Sequence, residues 1–335
     1  MSTASSDIKV LLVGAGALGS VFAWRLQESG RARVTVVCRS NYGAVKEHGF
    51  RIESEAYGSG VYRPAAVAGS VADAVADGTV YDYVVVCTKA LPNLGDASGD
   101  IAPAVASPAT AVLLIQNGIG VEEPYHARYP GSPVVSAVAV IDTRQPEAGV
   151  IKHGTAAALT MGLYRPEAAG YDVAAATASL EALCAAWSAG GVRAAVTAKI
   201  QGVRWSKLIW NASLNPISVL AGGHEVHALL EDAAGRQLVL DVMREAVRIG
   251  EAATGEPLPA MNGASGPEAY IEMTLRSPPP VVPSMLMDYW ARRPMEHAVI
   301  LGNPLRVAAE HGISAPRMQT VYALLVLVEK AYSQR

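Results

Sequence analysis

The sequence predicts an α/β chain in which a doubly wound parallel sheet is followed by an all-helical domain. Three observations carry that expectation. Short β-branched runs alternate with Ala-rich stretches of helical length through the N-terminal part of the chain. A glycine-rich turn, Gly14-Ala15-Gly16-Ala17-Leu18-Gly19, joins the first strand to the first helix. From about residue 198 the β-branched runs mostly stop and amphipathic helical periods replace them.

In order along the chain, Lys9–Val13, Arg33–Cys38, Tyr83–Cys87, Ala111–Ile115 and Val134–Ile141 read as strands. Several are apolar on both faces, as strands covered by helices on both sides of a sheet must be. Ala17–Ser29 and Tyr42–His48 read as the helices between them. Residues 143–165, short apolar pieces separated by Gly149, Gly154 and Gly162, read as antiparallel additions to the sheet. An Ala-rich helix over 168–189 ends at Gly190-Gly191. Beyond it come helical periods at 200–220, 234–253, 264–276, 285–291, 304–311 and 316–331, with Pro278-Pro279-Pro280 as an extended link. The expected domains are therefore 1–197 and 198–335.

Composition removes several classes of function. The chain has 335 residues, 51% of them hydrophobic and 17% charged, so it has material for two cores and little for a disordered tail. Net charge is -3, from 27 basic and 30 acidic residues, which leaves no electrostatic footprint for nucleic acid or an anionic membrane. Cys38, Cys87 and Cys184 are scattered without metal-ligand or disulfide spacing, which suits a reducing cytoplasm. His224 and His227 have no third ligand in register, so no metal is expected. The N-terminus is short and polar, and no apolar run is long enough to span a bilayer; a soluble, cytoplasmic protein is expected.

The glycine motif is the most specific local signal, because it follows a strand and opens a helix. In that setting Gly14 permits a tight turn, Gly16 lets a pyrophosphate approach the backbone, and Gly19 lets the helix pack on the strand. Ala15, Ala17 and Leu18 complete the loop, and the free N–H groups of the helix face the phosphates. The second strand ends at Cys38-Arg39-Ser40-Asn41, about 20 residues on, where an NAD site places an acid. Arg39 and Ser40 suit a 2′-phosphate instead, which selects NADP(H); an exposed Arg at a strand end is the bland alternative.

Thr88-Lys89-Ala90 and Gln116-Asn117-Gly118 follow the third and fourth predicted strands, at the strand ends where open α/β sheets place ligand loops. Asn117-Gly118 alone would be a turn signal. In the helical half, Lys207, Asn211 and Asn215 recur every four residues in Lys207-Leu208-Ile209-Trp210-Asn211-Ala212-Ser213-Leu214-Asn215-Pro216. That spacing puts one ammonium and two amides on one face of a helix that is otherwise apolar. Buried polar groups need partners, and a polar ligand would supply them; the alternative is a solvated stripe that breaks at Pro216. Ser284 reads equally as a helix N-cap, and Glu296 as a surface ion pair with Arg292.

Together these residues resemble the 2-dehydropantoate 2-reductase (ketopantoate reductase) family over nearly the whole chain. The series runs from the glycine loop and Arg39 through Thr88-Lys89-Ala90, Gln116-Asn117-Gly118 and K-x-x-x-N-x-x-x-N-P at 207–216 to Ser284-Met285-Leu286 and Pro294-Met295-Glu296. The resemblance implies a Rossmann-type NADP-binding domain and a helical catalytic domain. It implies NADPH-dependent reduction of a 2-oxo acid to the 2-hydroxy acid, in pantothenate biosynthesis for the named substrate. Lys207 matches the general acid, and Glu296 the carboxylate that holds the substrate hydroxyl and the lysine. Asn117 matches a position between nicotinamide ribose and substrate, Lys89 a cofactor position, and Asn211, Asn215 and Ser284 substrate positions. The expected partner is a small-molecule 2-oxo acid, with a homodimer as the assembly to consider.

The chain departs from the family at two substrate-side positions. Val281 stands where the family often has Asn, three residues before the serine, and Glu225 stands at another substrate-side Asn. Three readings follow: a ketopantoate reductase proper, a paralogue reducing a different 2-oxo or β-oxo acid with the same machinery, and a non-catalytic NADP(H)-binding sensor. A sensor would need only the glycine loop and Arg39. The combination of Lys207, Asn211 and Glu296 speaks against it.

Overall fold

The structure, a computed structural model, describes residues 7–333. The polar stretch read at the N-terminus lies outside the described residues, apart from Asp7. The chain forms ten strands and twelve α-helices, with three short 3-10 or π segments, among the described residues. It divides into two compact units. One comprises the residues up to Thr88 with Asp96–Gln116 and Glu122–Ile200; the other comprises Lys89–Gly95, Asn117–Val121 and the residues from Gln201 onward.

The first unit opens with β1 (Ile8–Val13), α1 (Ala17–Glu28), β2 (Ala32–Val37) and α2 (Tyr42–His48). The hairpin β3 (Phe50–Ser54) and β4 (Gly58–Tyr62) follows, then β5 (Ala66–Ala68), α3 (Val71–Ala74), β6 (Tyr83–Val86), β7 (Ala111–Leu114) and α4 (Glu123–Arg128). It ends with β8 (Val134–Glu147), β9 (Val150–Leu163), α5 (Val173–Ala189) and β10 (Arg193–Val196). The sheet order is β4-β3-β9-β8-β7-β6-β1-β2-β5, with β10 also paired to β9. Its parallel part, β5-β2-β1-β6-β7-β8, follows the 3-2-1-4-5-6 winding of dinucleotide-binding folds, and the order reverses between β1 and β6. The expected antiparallel addition is the β8–β9 pair. The hairpin β3–β4 extends the sheet further, with β3 parallel to β9.

Period-two alternation along the central strands explains why they are apolar throughout. Val10 and Leu12 of β1 enter one core with Phe22 and Leu26 of α1 and Leu183 and Trp187 of α5. Leu11 and Val13 enter a second core on the other face, with Val71 of α3, Ile101 and Tyr125 of α4. Each such side chain is worth about 1.5–3 kcal/mol when fully buried. The indole N–H of Trp187 keeps a partner by donating to the Phe22 carbonyl at 3.0 Å.

The second unit is helical: α6 (Ile200–Leu220), α7 (Val226–Glu231), α8 (Ala233–Thr254), α9 (Pro267–Leu275), α10 (Ser284–Trp290), α11 (Asn303–Glu310) and α12 (Pro316–Ser333). Its single core joins α6 to α8 through Trp205, Leu208, Ile209, Val239, Val242 and Met243. Buried carboxylates satisfy helix ends here. Glu245 of α8 accepts from the backbone N–H groups of Arg317 and Met318 and so closes the first turn of α12. The helix α6 runs through Pro216 without ending. Among the described residues, no helix is long and apolar enough to cross a membrane.

Candidate active site

The glycine loop joins β1 to α1 at the strand where the sheet order reverses. Gly14 has φ +97°, and a Cβ there would lie 2.6 Å from the Thr88 nitrogen, so no other residue fits. A Cβ on Gly19 would lie 2.4 Å from the Gly14 oxygen, so the helix meets the loop only through glycine. Gly16 differs: its φ is -81° and a Cβ there would meet nothing within 4 Å. The space in front of Gly16 is therefore open, at the start of a 12-residue helix with no side-chain cap and no acid in its first turn. Free N–H groups and an open approach fit a pyrophosphate.

The segment after β2 is held against that loop. Asn41 is buried, and its Nδ2 donates to the Ala15 carbonyl at 2.8 Å, tying the segment after β2 to the glycine loop. Arg39 and Ser40 stand exposed just before it, and the Arg39 guanidinium has no ion-pair partner among the described residues. A guanidinium on an anchored backbone suits the 2′-phosphate of NADP(H). The sequence reading quoted Asn41 without assigning it a role.

The second unit holds a chain of three polar side chains. Lys207 sits in the first half of α6, half-buried, and its Nζ donates to Asn117 Oδ1 at 2.7 Å. Asn117 Nδ2 donates to Glu296 Oε2 at 3.3 Å, and the Ala90 backbone N–H donates to Glu296 Oε1 at 3.2 Å. Burial draws the Lys207 pKa down to about 8; repulsion from Arg204 adds to this and Glu296 opposes it. Burial raises Glu296, while the Asn117 and Ala90 bonds and the Lys89 charge oppose that shift. An ammonium with a pKa near neutrality, aimed by an amide, can release a proton in reaction conditions.

The loop carrying Asn117 owes its path to glycine. Gly118 has φ +90°, and a Cβ there would lie 2.5 Å from the Val299 Cβ. Val299 belongs to a π-helical segment, Ala298–Gly302, which begins two residues after Glu296, and its carbonyl accepts the Ile119 N–H at 2.9 Å. A single π turn of this kind is common at functional sites, because it re-aims neighbouring groups. Glu329 of α12 pins the same stretch by accepting from the Met295 N–H at 2.6 Å and pairing with His297 at 2.7 Å.

Other expected site residues meet different fates. Asn211 is buried, and Asn215 is fully buried with neither amide atom hydrogen-bonded. The solvated-stripe alternative is thereby excluded. Glu296 is buried and bonded to Asn117 and Ala90, not paired with Arg292 on the surface. Ser284 is not an N-cap: Pro283 occupies that position, and Ser284 is the exposed first residue of α10. Lys89 forms an ion pair with the buried Asp288 of α10, which also accepts from Arg293 Nε at 3.1 Å. Glu225 caps α7 by accepting from the His227 and Ala228 N–H groups, and it also accepts from the Val281 N–H at 3.2 Å. The two positions that depart from the family are thus bonded to each other.

Arg204 and Asp288 were missed by the sequence reading. Arg204 stands three residues before Lys207, and that spacing was the available signal. Asp288 follows Ser284 by one helical turn, which places it on the same face, but nothing local marks its partner. Among the described residues no group of three or more His, Cys, Asp or Glu side chains could hold a metal ion.

A family model described as "Ketopantoate reductase PanE/ApbA" matches residues 10–166, and its C-terminal counterpart matches residues 199–329. The chain is 30% identical to the "Meiotically up-regulated gene 72 protein" of Schizosaccharomyces pombe over 96% of its own length, and spans 56% of that longer protein. It is 28% identical to a 2-dehydropantoate 2-reductase of Nostoc sp., covering 97% of this chain and 96% of the relative. The crystal structure of a 2-dehydropantoate 2-reductase from Methylococcus capsulatus superposes with a TM-score of 0.82 at 35% identity, covering 97% of this chain and 98% of that one. The chain belongs to the ketopantoate reductase PanE/ApbA family, oxidoreductases that interconvert C=O and CH–OH groups with NADP(H).

Proposed function

We propose that this chain reduces a 2-oxo acid to the 2-hydroxy acid with NADPH, and that the acid is 2-dehydropantoate, the reaction of pantothenate biosynthesis. The observation that carries the reading is the hydrogen-bonded series Lys207–Asn117–Glu296. In this reading residues 1–197 serve as the NADP-binding domain and 198–335 as the substrate and catalytic domain. The glycine loop, from Gly14 to Gly19, takes the pyrophosphate, and Arg39 takes the 2′-phosphate. The cofactor, when bound, supplies a hydride to the carbonyl carbon of the substrate.

Lys207 performs the accompanying proton transfer. Its Nζ hydrogen-bonds the ketone oxygen and gives up a proton as the C=O bond becomes C–O–H, and the neutral amine regains a proton from solvent. A cation aimed at that oxygen stabilises the charge that develops in the transition state more than the neutral ground state. Asn117 orients the ammonium and passes its own N–H to Glu296, so Glu296 acts on the lysine through the amide. Glu296 also accepts the substrate hydroxyl, while Asn211, Asn215 and Ser284 hold the rest of the substrate. The two orphaned amide atoms of Asn215 support this, since an unmade buried hydrogen bond costs about 1–3 kcal/mol that a polar ligand would recover.

A second reading, a different 2-oxo acid, is favoured by the bond between Glu225 and Val281. The Glu225 carboxylate is occupied by backbone N–H groups and is not offered to a substrate as an amide would be. NADPH oxidation with 2-dehydropantoate beside a panel of 2-oxo acids decides between them. The first reading expects the highest kcat/KM for 2-dehydropantoate. A tenfold preference for another acid selects the second, and NADPH binding without oxidation by any acid refutes both. The reading also expects a cytoplasmic enzyme, active as a monomer or a homodimer.

A further inference from the structure

The helix α6 carries a second cation beside the lysine. Arg204 lies three residues before Lys207, on the same helical face, and is only 3% exposed. Its Nη1 donates to the Gly118 carbonyl at 3.0 Å, the residue next to Asn117. Two further bonds of that loop go to the segment after Glu296: Ile119 N–H to the Val299 carbonyl, and Asn303 Nδ2 to the Ile119 carbonyl at 2.7 Å. Arg204 thus ties the loop to the helix that carries Lys207, beside the Lys207–Asn117 bond itself. It lies outside both the glycine motif and the lysine–asparagine motif.

Resting on the reductase reading above, we propose that Arg204 is a positioning residue for the proton donor: it holds Asn117 where Lys207 can donate to it, and it keeps a permanent positive charge one helical turn from the ammonium. The guanidinium stays protonated throughout the working range, so this charge does not vary with pH. Among the groups facing Lys207 are Asn117 from the loop, Arg204 from its own helix and Glu296 from the segment before the π turn. Lys89 and Asp288 act on Glu296 in turn, with opposite signs. Burial alone would lower the lysine; the neighbouring guanidinium lowers it further and makes it a better acid near neutral pH.

Two variants separate charge from packing. Arg204→Gln keeps a donor for the Gly118 carbonyl and removes the charge. Arg204→Lys keeps the charge and loses the planar fork. Lys207 is titrated without turnover by competitive acetylation with trace acetic anhydride, its peptide read by mass spectrometry, with thermal melts to verify folding. Arg204→Gln should raise the Lys207 midpoint by about one pH unit and carry the alkaline limb of kcat/KM with it. Arg204→Lys should leave the midpoint near that of wild type while kcat falls several-fold, through loss of the loop contact. A wild-type midpoint in Arg204→Gln, an equal shift in both variants, or wild-type kcat in Arg204→Lys would overturn the proposal. A midpoint that responds to Arg204 in a protein that reduces no 2-oxo acid would refute the reductase reading and leave the electrostatic link intact.

Discussion

Lys207→Ala is the perturbation that exposes the chemistry most directly. A general acid contributes about 10²–10⁴ in rate, or about 3–5 kcal/mol of barrier, and the variant should lose turnover by that order. NADPH binding should change little, because the glycine loop and Arg39 belong to the other compact unit. The pH profile of the unmutated enzyme provides the second arm. With a pKa of about 8 rather than the ordinary 10.5, Lys207 is largely protonated at pH 7 and deprotonates as pH rises through 8. At pH 9.5 only about 3% would remain protonated, against about 90% for an unperturbed lysine, so kcat/KM should fall roughly 30-fold below a flat profile. The assay is initial-rate NADPH oxidation from pH 6 to 10 at sub-saturating substrate, with single-turnover measurements to separate chemistry from product release. A profile flat through pH 9.5, or a Lys207→Ala rate within about threefold of wild type, which is under 1 kcal/mol, would refute Lys207 as the donor. The stability linkage runs the opposite way to activity: between about pH 8 and 10.5 the unfolded chain holds a proton that folded Lys207 has lost, so the destabilisation imposed by the buried ammonium at lower pH is relieved as pH rises across that window.

Other outcomes follow from the same geometry. Arg39→Ala should weaken NADPH by roughly 10- to 100-fold and leave NADH nearly unchanged, since one charge-assisted bond to the 2′-phosphate is at stake; fluorescence titration with both cofactors checks it, and equal losses would be incompatible with the assignment. Gly16→Val should fold with a near-normal melt, because Gly16 has negative φ and open space at Cβ, yet bind no NADPH; retained fluorescence enhancement of NADPH would contradict the loop's role. Glu296→Gln should raise KM as well as lower kcat, because the carboxylate accepts from Asn117 and is proposed to accept the substrate hydroxyl; a pure KM effect would remove it from the proton-transfer chain.

The parts of this protein that depend on neighbours in sequence were legible without a structure. The central strands and the bounds of Tyr42–His48 and Ile200–Leu220 follow from periodicity, and the glycine loop from its strand–turn–helix setting. The stripe of Lys207, Asn211 and Asn215 follows from helical spacing alone. The hairpin β3–β4 was not legible. Its strands are short, β4 is largely exposed and glycine-containing, and β3 finds its partner in β9, distant in sequence.

The site divides along the same line. The sequence by itself determined which residue types stand at the candidate positions: a phosphate loop without a cap, an arginine after the second strand, and a lysine and amides on one helical face. Only tertiary structure decided what each of them touches. Asn117 meets Lys207 90 residues away, and Glu296 179 residues away, because Gly118 lets its loop press against Val299. The same long-range contacts turn Asp288 into the anchor of Lys89, Glu225 into the cap that binds Val281, and Arg204 into the clamp on the Gly118 carbonyl. Helical period and turn chemistry act over a few residues and leave their mark on local pattern. Side-chain hydrogen bonds between distant segments depend on how the core packs, and no local pattern encodes them.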